Sequence, residues 1–223
     1  MTSHGPDLDA VLDGCRLAHR RLRETLGRVD DEVARQPSRL AGWTVGHVLT
    51  HLARNADSMT RVLEGALAGD HLEQYEGGAD QRDGDIEAGA GRTAEDLIDD
   101  AVSSFARLED TWDRMTPEAW QGHGWQRGEI WPCRHLPFFR WREVEVHHVD
   151  LGLGYEATDW PDDYVAGELP LALAGLPSRL GDGAIRARTL AWLLGRAPQP
   201  DLSQLGPWHF RVNTARVPGD PPS

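Results

Sequence analysis

The sequence predicts a mainly α-helical protein, a four-helix bundle followed by a small, abbreviated C-terminal appendage. Two observations predict this class. Four long segments repeat apolar residues at the spacing of an amphipathic helix, with one long connection between the second and the third. After Asp159 the pattern changes to a short, mostly helical region with a proline-rich tail. We therefore expect two domains, residues 1–160 and residues 161–223.

The first half of the bundle is predicted from apolar stripes and one capping residue. Residues 7–28 place leucine, valine and cysteine at helical spacing. Residues 36–43 form a loop, and the hydroxyl of Thr44 can cap a second helix that runs to about Ala68. Residues 71–85 are rich in glycine and aspartate and have no apolar period, which predicts a long loop.

The second half of the bundle is predicted in the same way. Thr93 begins the third helix, and Pro117 stands at the first position of a short helical turn. Residues 122–132 form a loop or a short strand pair, and the fourth helix covers about 136–152, where glycines end it. The appendage is expected to hold one helix over about 162–176 and another over about 184–195. A tail, residues 197–223, follows and contains a possible strand, WHFRV.

The bulk composition excludes several classes of function. A net charge of −13 argues against general nucleic-acid binding, which needs a basic surface. All 23 basic residues are arginine, a pattern typical of GC-rich codon usage. Because the chain has no lysine, Schiff-base chemistry on a lysine is excluded. The chain has no apolar run of the roughly 20 residues that span a membrane. It also has no secretory signal and only two cysteines, so we expect a cytoplasmic monomer or homodimer.

The fourth helix carries two polar faces separated by valines and aromatic residues. One face holds Glu143, His147 and Asp150 beside Arg140, and the other holds Arg142, Glu145 and His148. We expect one face to be solvated and the other to face the bundle interior. A carboxylate and an imidazole one turn apart can bind the same metal ion, but so can a pair at i, i+3. Spacing alone does not choose between these pairs, and a surface ion pair is the structural alternative.

The second helix offers a further ligand. His47 and His51 are also one turn apart, with His51 at the edge of the apolar stripe and Asn55 within it. The structural alternative is a core histidine that is hydrogen-bonded to Asn55 or to a backbone carbonyl. One histidine and a Glu/His pair from another helix supply ligands that borderline divalent metals prefer, and such a set leaves coordination positions open. Neither Cys15 nor Cys133 is near these residues in sequence, so a thiolate would arrive as a small molecule.

Three motifs together resemble the mycothiol-dependent maleylpyruvate isomerases of the DinB-like metalloenzyme superfamily. They are GWTVGHVLTHLARNA, QYEGGADQRDGDIEAGA and REVEVHHVDLG, in this order. The resemblance covers roughly residues 5–160, with a weaker echo at WLLGR. It implies a DinB-like bundle, a divalent metal ion that we expect to be zinc, and mycothiol as the thiol cofactor.

The resemblance also assigns roles to individual residues. It implies His51, Glu143 and His147 as metal ligands, which selects the i, i+4 pair, and it leaves His47 and His148 as structural residues. Asp150 fits a role in orienting His147 or in capping the end of the helix. Arg196, in the LLGR sequence, is the implied catalytic residue. Arg82 is our candidate for binding a carboxylate of the substrate or thiol and for assisting catalysis, with a surface salt bridge as its structural alternative. Asn55 is a second candidate cofactor-binding residue.

The implied reaction is the cis–trans isomerisation of maleylpyruvate, a small dicarboxylate, to fumarylpyruvate in gentisate-type aromatic breakdown. Two alternatives remain: a mycothiol S-transferase that leaves the thiol on an electrophile, and a non-catalytic metal-binding bundle. The chain departs from the family after residue 160. The resemblance implies a small α/β domain there, and this sequence has too few strand-like segments for one.

Overall fold

The structure, a computed structural model, describes residues 7–126, 129–181, 183–203 and 205–206. These residues form a mainly helical protein with a small antiparallel strand pair. The elements in chain order are α1 (Leu8–Leu26), α2 (Asp31–Ala34), α3 (Val45–Ala68), α4 (Gly78–Gly89), α5 (Ala94–Arg114), α6 (Pro117–Trp120), β1 (His123–Gln126), β2 (Glu129–Pro132), a 3-10 turn (Cys133–His135), α7 (Leu136–Asp150), a second 3-10 turn (Ala157–Asp159), α8 (Asp162–Arg179) and α9 (Gly183–Leu193).

The long helices α1, α3, α5 and α7 form the predicted four-helix bundle. Helix α3 packs against α5 and α7, and α1 packs against α7 and α5. The apolar stripes of these helices meet in a core of fully buried side chains: Leu22, Leu49, Leu52, Met59, Leu97, Phe105 and Leu108. Burial of this apolar surface is the main source of stability. The predicted mainly α, DinB-like fold is confirmed.

Side-chain caps begin two of the bundle helices at the residues that the sequence indicates. The Thr44 hydroxyl accepts a hydrogen bond from the His47 backbone N–H, and Nδ1 of His47 accepts one from the Thr44 backbone N–H. This reciprocal pair is a capping box with histidine in the place of the usual glutamate. The Thr93 hydroxyl likewise accepts from the Asp96 backbone N–H at the start of α5. His47 therefore has the structural role that we expected.

The predicted loop over residues 71–85 is wrong in its second half, where α4 begins at Gly78. The buried residue of α4 is Ile86, so the helix has no apolar stripe that could reveal it in the sequence. A close approach at its end fixes it to the bundle. A Cβ on Gly89 would lie 2.5 Å from Cγ2 of Thr50 on α3, so the two helices can come this close only with glycine there.

The strand pair holds the segment before α4 in place. Strands β1 and β2 pair in antiparallel register, which confirms the strand alternative for residues 122–132. The backbone N–H of Trp125 donates to the Leu72 carbonyl (2.9 Å), and the Gln74 N–H donates to the Trp125 carbonyl (2.7 Å). The side chain of Tyr75, the next residue, is half-buried and contributes to the candidate site described below.

The described chain forms two compact units that divide between Tyr164 and Val165. The C-terminal unit contains most of α8 and all of α9, and the Gly206 N–H donates to the Arg179 carbonyl (2.9 Å). The possible strand WHFRV lies outside the described residues, and the domain boundary at residue 160 stays a prediction. None of the described helices combines the length and the apolarity needed to cross a membrane.

Candidate metal centre

Three polar side chains from two bundle helices meet at one point. Oε2 of Glu143 lies 2.9 Å from Nε2 of His51 and 3.4 Å from Nε2 of His147. The two Nε2 atoms are 3.1 Å apart. The three residues each offer one donor atom, and all three atoms lie within 4.8 Å of one another. We call this group the His51–Glu143–His147 triad.

The helices position the triad through a buried arginine. Glu143 and His147 are one turn apart on α7 and therefore point in the same direction. One turn before Glu143, the fully buried Arg140 donates from Nη1 to the Leu52 carbonyl (2.9 Å) and to Oδ1 of Asn55 (2.7 Å), both on α3. These hydrogen bonds hold α7 against the turn of α3 that carries His51.

The structure accounts for Asn55 through this same contact. Its side chain is 5% exposed, and its Oδ1 accepts a hydrogen bond from the Arg140 guanidinium rather than from a ring N–H of His51. The predicted role of Asn55 in binding a cofactor stays a prediction. Arg140 continues the buried network on its other side, where Nε donates to His19 (3.1 Å), whose Nδ1 donates to Glu109 (2.7 Å).

Asp150 orients one of the triad histidines. Nδ1 of His147 donates to Oδ2 of Asp150 at 2.8 Å, and both side chains are 17% exposed. With a proton held on Nδ1, Nε2 is the ring nitrogen that faces Glu143 and His51. A carboxylate behind a histidine is the usual way to fix the tautomer of a metal ligand. The structure therefore places Asp150 where the sequence analysis expected it.

The environment moves the pKa values of the triad in different directions. Burial raises the pKa of Glu143, but hydrogen bonds from His147 and His51 outweigh it and hold this pKa well below its usual range. Burial lowers the pKa of His51 to about 4. Burial also acts to lower the pKa of His147, yet hydrogen bonds to Asp150 and Glu143 raise it to about 9. In the metal-free protein at neutral pH, His147 is therefore protonated and positively charged, His51 is neutral, and Glu143 is ionised.

The donor set and its spacing fit a divalent ion of zinc type. Zinc binds histidine nitrogen and carboxylate oxygen at about 2.0–2.2 Å in a tetrahedron, which places ligand atoms about 3.3 Å apart. The three separations in the triad, 2.9, 3.1 and 3.4 Å, lie close to this value. Three protein ligands of this kind are typical of catalytic zinc, which keeps a further position for water or substrate.

Arg82 reaches the triad from α4. Its Nη2 lies 3.3 Å from Nδ1 of His51, and its Nη1 donates to Asp83 (2.6 Å). The hydroxyl of Tyr75 is hydrogen-bonded to Ser58 and to Arg82, and burial raises its pKa. Arg82 therefore makes the surface salt bridge, with Asp83, and also contacts His51 and Tyr75. Its role in binding a carboxylate stays a prediction.

The second polar face of α7 is buried, so the expectation that one face is solvated is wrong. Arg142, Glu145 and His148 are each at most 5% exposed. Glu145 accepts hydrogen bonds from Trp141 (3.0 Å) and Tyr155 (2.5 Å), while Nε2 of His148 is 2.7 Å from the Thr25 hydroxyl. Glu145 and His148 thus have hydrogen-bond partners within the fold, which agrees with the structural role expected of His148.

The two cysteines do not belong to the triad, and the second arginine candidate belongs to the C-terminal unit. Cys15 and Cys133 are both fully buried, and burial raises the pKa of each thiol, to about 11 for Cys133. Neither belongs to the group of possible ligands, as their sequence positions predicted. Arg196 follows α9 in the C-terminal unit, where its backbone N–H donates to the Ala191 carbonyl (2.7 Å). Its catalytic role stays a prediction.

Sequence reasoning missed Tyr75 and the bracing role of Arg140. Arg140 was visible as a polar residue three positions before Glu143, but only the packing shows that it binds α3. Tyr75 stands in a segment with no apolar period; it belongs to the motif QYEGGADQRDGDIEAGA, but no role was assigned to it.

Comparisons with known proteins agree with the geometry. The family model of the mycothiol maleylpyruvate isomerase N-terminal domain matches residues 15–152. Two similar solved structures are a mycothiol-dependent maleylpyruvate isomerase and a mutant of that enzyme with one histidine replaced by alanine. Each is 26% identical to this chain with a TM-score of 0.72, and the match covers 79% of this chain and 74% of the other. A search of the curated proteins finds no match.

Proposed function

Because the chain belongs to the mycothiol maleylpyruvate isomerase N-terminal domain family, we propose that it is a metal- and mycothiol-dependent isomerase that converts maleylpyruvate to fumarylpyruvate. The observation that carries this proposal is the His51–Glu143–His147 triad, which lies wholly within the matched residues and has a spacing that can hold a metal ion. The activity would belong to gentisate-type aromatic breakdown in the cytoplasm.

The triad would hold the metal through Nε2 of His51, Oε2 of Glu143 and Nε2 of His147. A divalent ion, which we propose to be zinc, stabilises a bound thiol as the thiolate at neutral pH. Mycothiol, when bound, would supply a nucleophilic sulfur capable of reversible addition to the activated cis double bond, which would allow rotation about that bond. The thiol must come from outside the chain, since Cys15 and Cys133 are buried and have raised pKa values.

The tautomer of His51 links the metal ligands to Arg82. A guanidinium has only donors, so its contact with Nδ1 of His51 requires that nitrogen to accept and places the ring proton on Nε2. Coordination through Nε2 requires the proton on Nδ1 instead. Two donors would then face each other, and Arg82 would leave His51. The freed guanidinium can grip a substrate carboxylate in a bidentate manner, or stabilise the enolate oxygen that forms when the sulfur adds.

The first experiment tests the metal site. Purified protein should contain one divalent ion per chain by elemental analysis, and His51→Ala should remove it, because two remaining ligands bind such ions weakly. His47→Ala is the matched control, since this histidine lies one turn earlier on the same helix and caps it. Loss of the ion from the control but not from His51→Ala would contradict the assignment.

The second experiment tests the reaction. Metal-loaded protein, mycothiol and maleylpyruvate are mixed, and the absorbance of the cis-enol is followed. We expect the absorbance to fall only when the thiol is present and fumarylpyruvate to accumulate. A stable thioether product would instead identify an S-transferase, and unchanged absorbance with metal and thiol present would remove maleylpyruvate as the substrate. Arg82→Ala should slow turnover while leaving the metal content unchanged.

A further inference from the structure

Arg140 on α7 is a charged side chain that the fold encloses completely. It is 0% exposed, and burial lowers its pKa to about 10, so the guanidinium is still protonated at neutral pH. Three of its five N–H groups donate to His19, the Leu52 carbonyl and Asn55, and its Nη2 has no hydrogen-bond partner among the described residues. The brace between α7 and α3 is therefore made by a cation that is only partly paired.

The hydrogen-bond partners of Arg140 do not neutralise its charge. The Leu52 carbonyl and the Asn55 amide are neutral, and so is His19 at neutral pH, because burial lowers its pKa to about 4. Within the described part of the chain, no carboxylate is hydrogen-bonded to Arg140. A cation without an acid partner is costly to bury. Bracing alone does not require this cost, since a neutral amide can also donate to a carbonyl.

The surrounding ionisable groups leave Glu143 as the main counter-charge of Arg140. Cys15 is the group that could favour the Arg140 charge most, but burial raises the pKa of this thiol, which stays protonated at neutral pH. Glu143, one turn further along α7, comes next and is ionised. Asp57 contributes less, and it already forms ion pairs with two other arginines, at 2.7 and 2.6 Å.

Glu143 cannot neutralise Arg140 and a metal ion at the same time. The two histidines of the triad can coordinate only as neutral imidazoles, so Glu143 is the single anionic ligand among the three. A divalent ion bound there would leave the centre with a net charge of about +1, and Arg140 adds a buried positive charge one helical turn from Glu143. Such a site repels the ion itself to some extent, and it attracts an anion to the position that three ligands leave open.

We infer that the buried charge of Arg140 biases the candidate metal centre towards anionic ligands, at the expense of affinity for the metal ion itself. The inference rests on the metal site of the proposed function. It goes beyond that function because it gives the class of ligand that the open position prefers: a thiolate, a carboxylate or an enolate rather than a neutral donor. Arg140 is buried away from these ligands and acts through its charge.

The experiment separates the charge of Arg140 from its bracing contacts. Arg140→Gln removes the charge, and Arg140→Lys keeps it but loses the planar fork of donors that contacts Leu52 and Asn55. His19→Gln is the matched control, since it changes one partner of Arg140 without changing a charge at neutral pH. The zinc affinity of the full-length proteins is measured at pH 7 by competition against a chromophoric chelator. The cobalt-loaded proteins are titrated with azide, an anion, and with imidazole, a neutral ligand, and the visible absorption of cobalt is followed.

Arg140→Gln should bind zinc about tenfold more tightly than the parent protein, because it lacks the like charge. Its cobalt form should bind azide about tenfold more weakly and imidazole as before. A tenfold change is the effect expected between charges about 10 Å apart at an effective dielectric constant of about 20. Arg140→Lys and His19→Gln should behave as the parent protein in all three titrations.

Two results would overturn the inference. Weaker zinc binding in both Arg140 variants would show that Arg140 only braces the site, and an equal loss of azide and imidazole binding would show a distorted site. If Arg140→Gln does not fold, Arg140→Lys still decides, since a bracing role requires it to bind zinc more weakly. A parent protein that binds neither metal would refute the proposed metal centre and this inference with it, whereas metal binding without turnover of maleylpyruvate would leave the inference standing.

Discussion

The hydrogen bond between His147 and Asp150 makes a quantitative prediction about metal affinity. Asp150 holds its charge 2.8 Å from Nδ1 of His147, where it favours both a proton and a metal ion on the opposite nitrogen. The pKa of His147 in the metal-free protein is about 9. Metal binding at pH 7 must displace that proton, which weakens the apparent affinity roughly 100-fold from its value at high pH. The parent protein should thus bind zinc about tenfold more tightly for each pH unit between 7 and 9.

Asp150→Asn separates these two effects. Loss of the carboxylate should weaken the intrinsic affinity about 10- to 100-fold, the usual cost of removing such a partner, and this full loss should appear at about pH 9.5. At pH 7 the loss should be smaller, because the pKa of His147 falls in the variant and the metal competes with fewer protons. Competition against a chromophoric zinc chelator at both pH values measures this, with Asp163→Asn, an exposed aspartate, as the control. An equal loss at both values, or a larger loss at pH 7, would refute the reasoning.

Further predictions concern stability. Gly46→Ala should destabilise the fold by about 2 kcal/mol or more in urea unfolding, because its Cβ would lie 2.2 Å from the Ala90 carbonyl oxygen. Gly84→Ala, with no other atom within 4 Å of its Cβ, should be neutral or stabilise α4 by up to about 1 kcal/mol; a comparable loss in both variants would contradict the packing argument. Burial lowers the pKa of His19 and of His148 to about 4 each, so between pH 6.5 and 4 the unfolded chain binds more protons than the folded one. The free energy of unfolding should therefore fall with falling pH by about 1.4 kcal/mol per pH unit for each histidine, and a slope that is unchanged in His19→Gln would exclude that residue as a contributor.

The sequence was sufficient for the bundle because each long helix carries an apolar stripe. It was insufficient for α4, which buries Ile86 and otherwise consists of polar and small residues. This helix therefore has no apolar periodicity that could predict it. The same limit applies to the second face of α7. Residues such as Glu145 look solvated in a polarity pattern, and only tertiary packing brings Tyr155 close enough to satisfy that carboxylate.

The triad was predictable in part. The spacing of polar residues did not decide between two Glu/His pairs on α7, because residues three or four positions apart both lie on the same face of a helix. The resemblance to a known family selected Glu143 and His147, and the packing of α3 against α7 brings His51 to them. Arg140 and Tyr75 could not be assigned, because their contacts depend on which helices and loops meet.

The absence of lysine and the burial of both cysteines have a chemical consequence for an enzyme of the proposed kind. Maleylpyruvate is an electrophile that modifies amines and accessible thiols by conjugate addition. The arginines stay protonated, and both cysteine side chains are 0% exposed. Apart from its imidazoles, the protein offers such a compound hardly any side chain to alkylate. Under the proposed function, the cofactor sulfur would therefore meet little competition, and the substrate would modify the enzyme little.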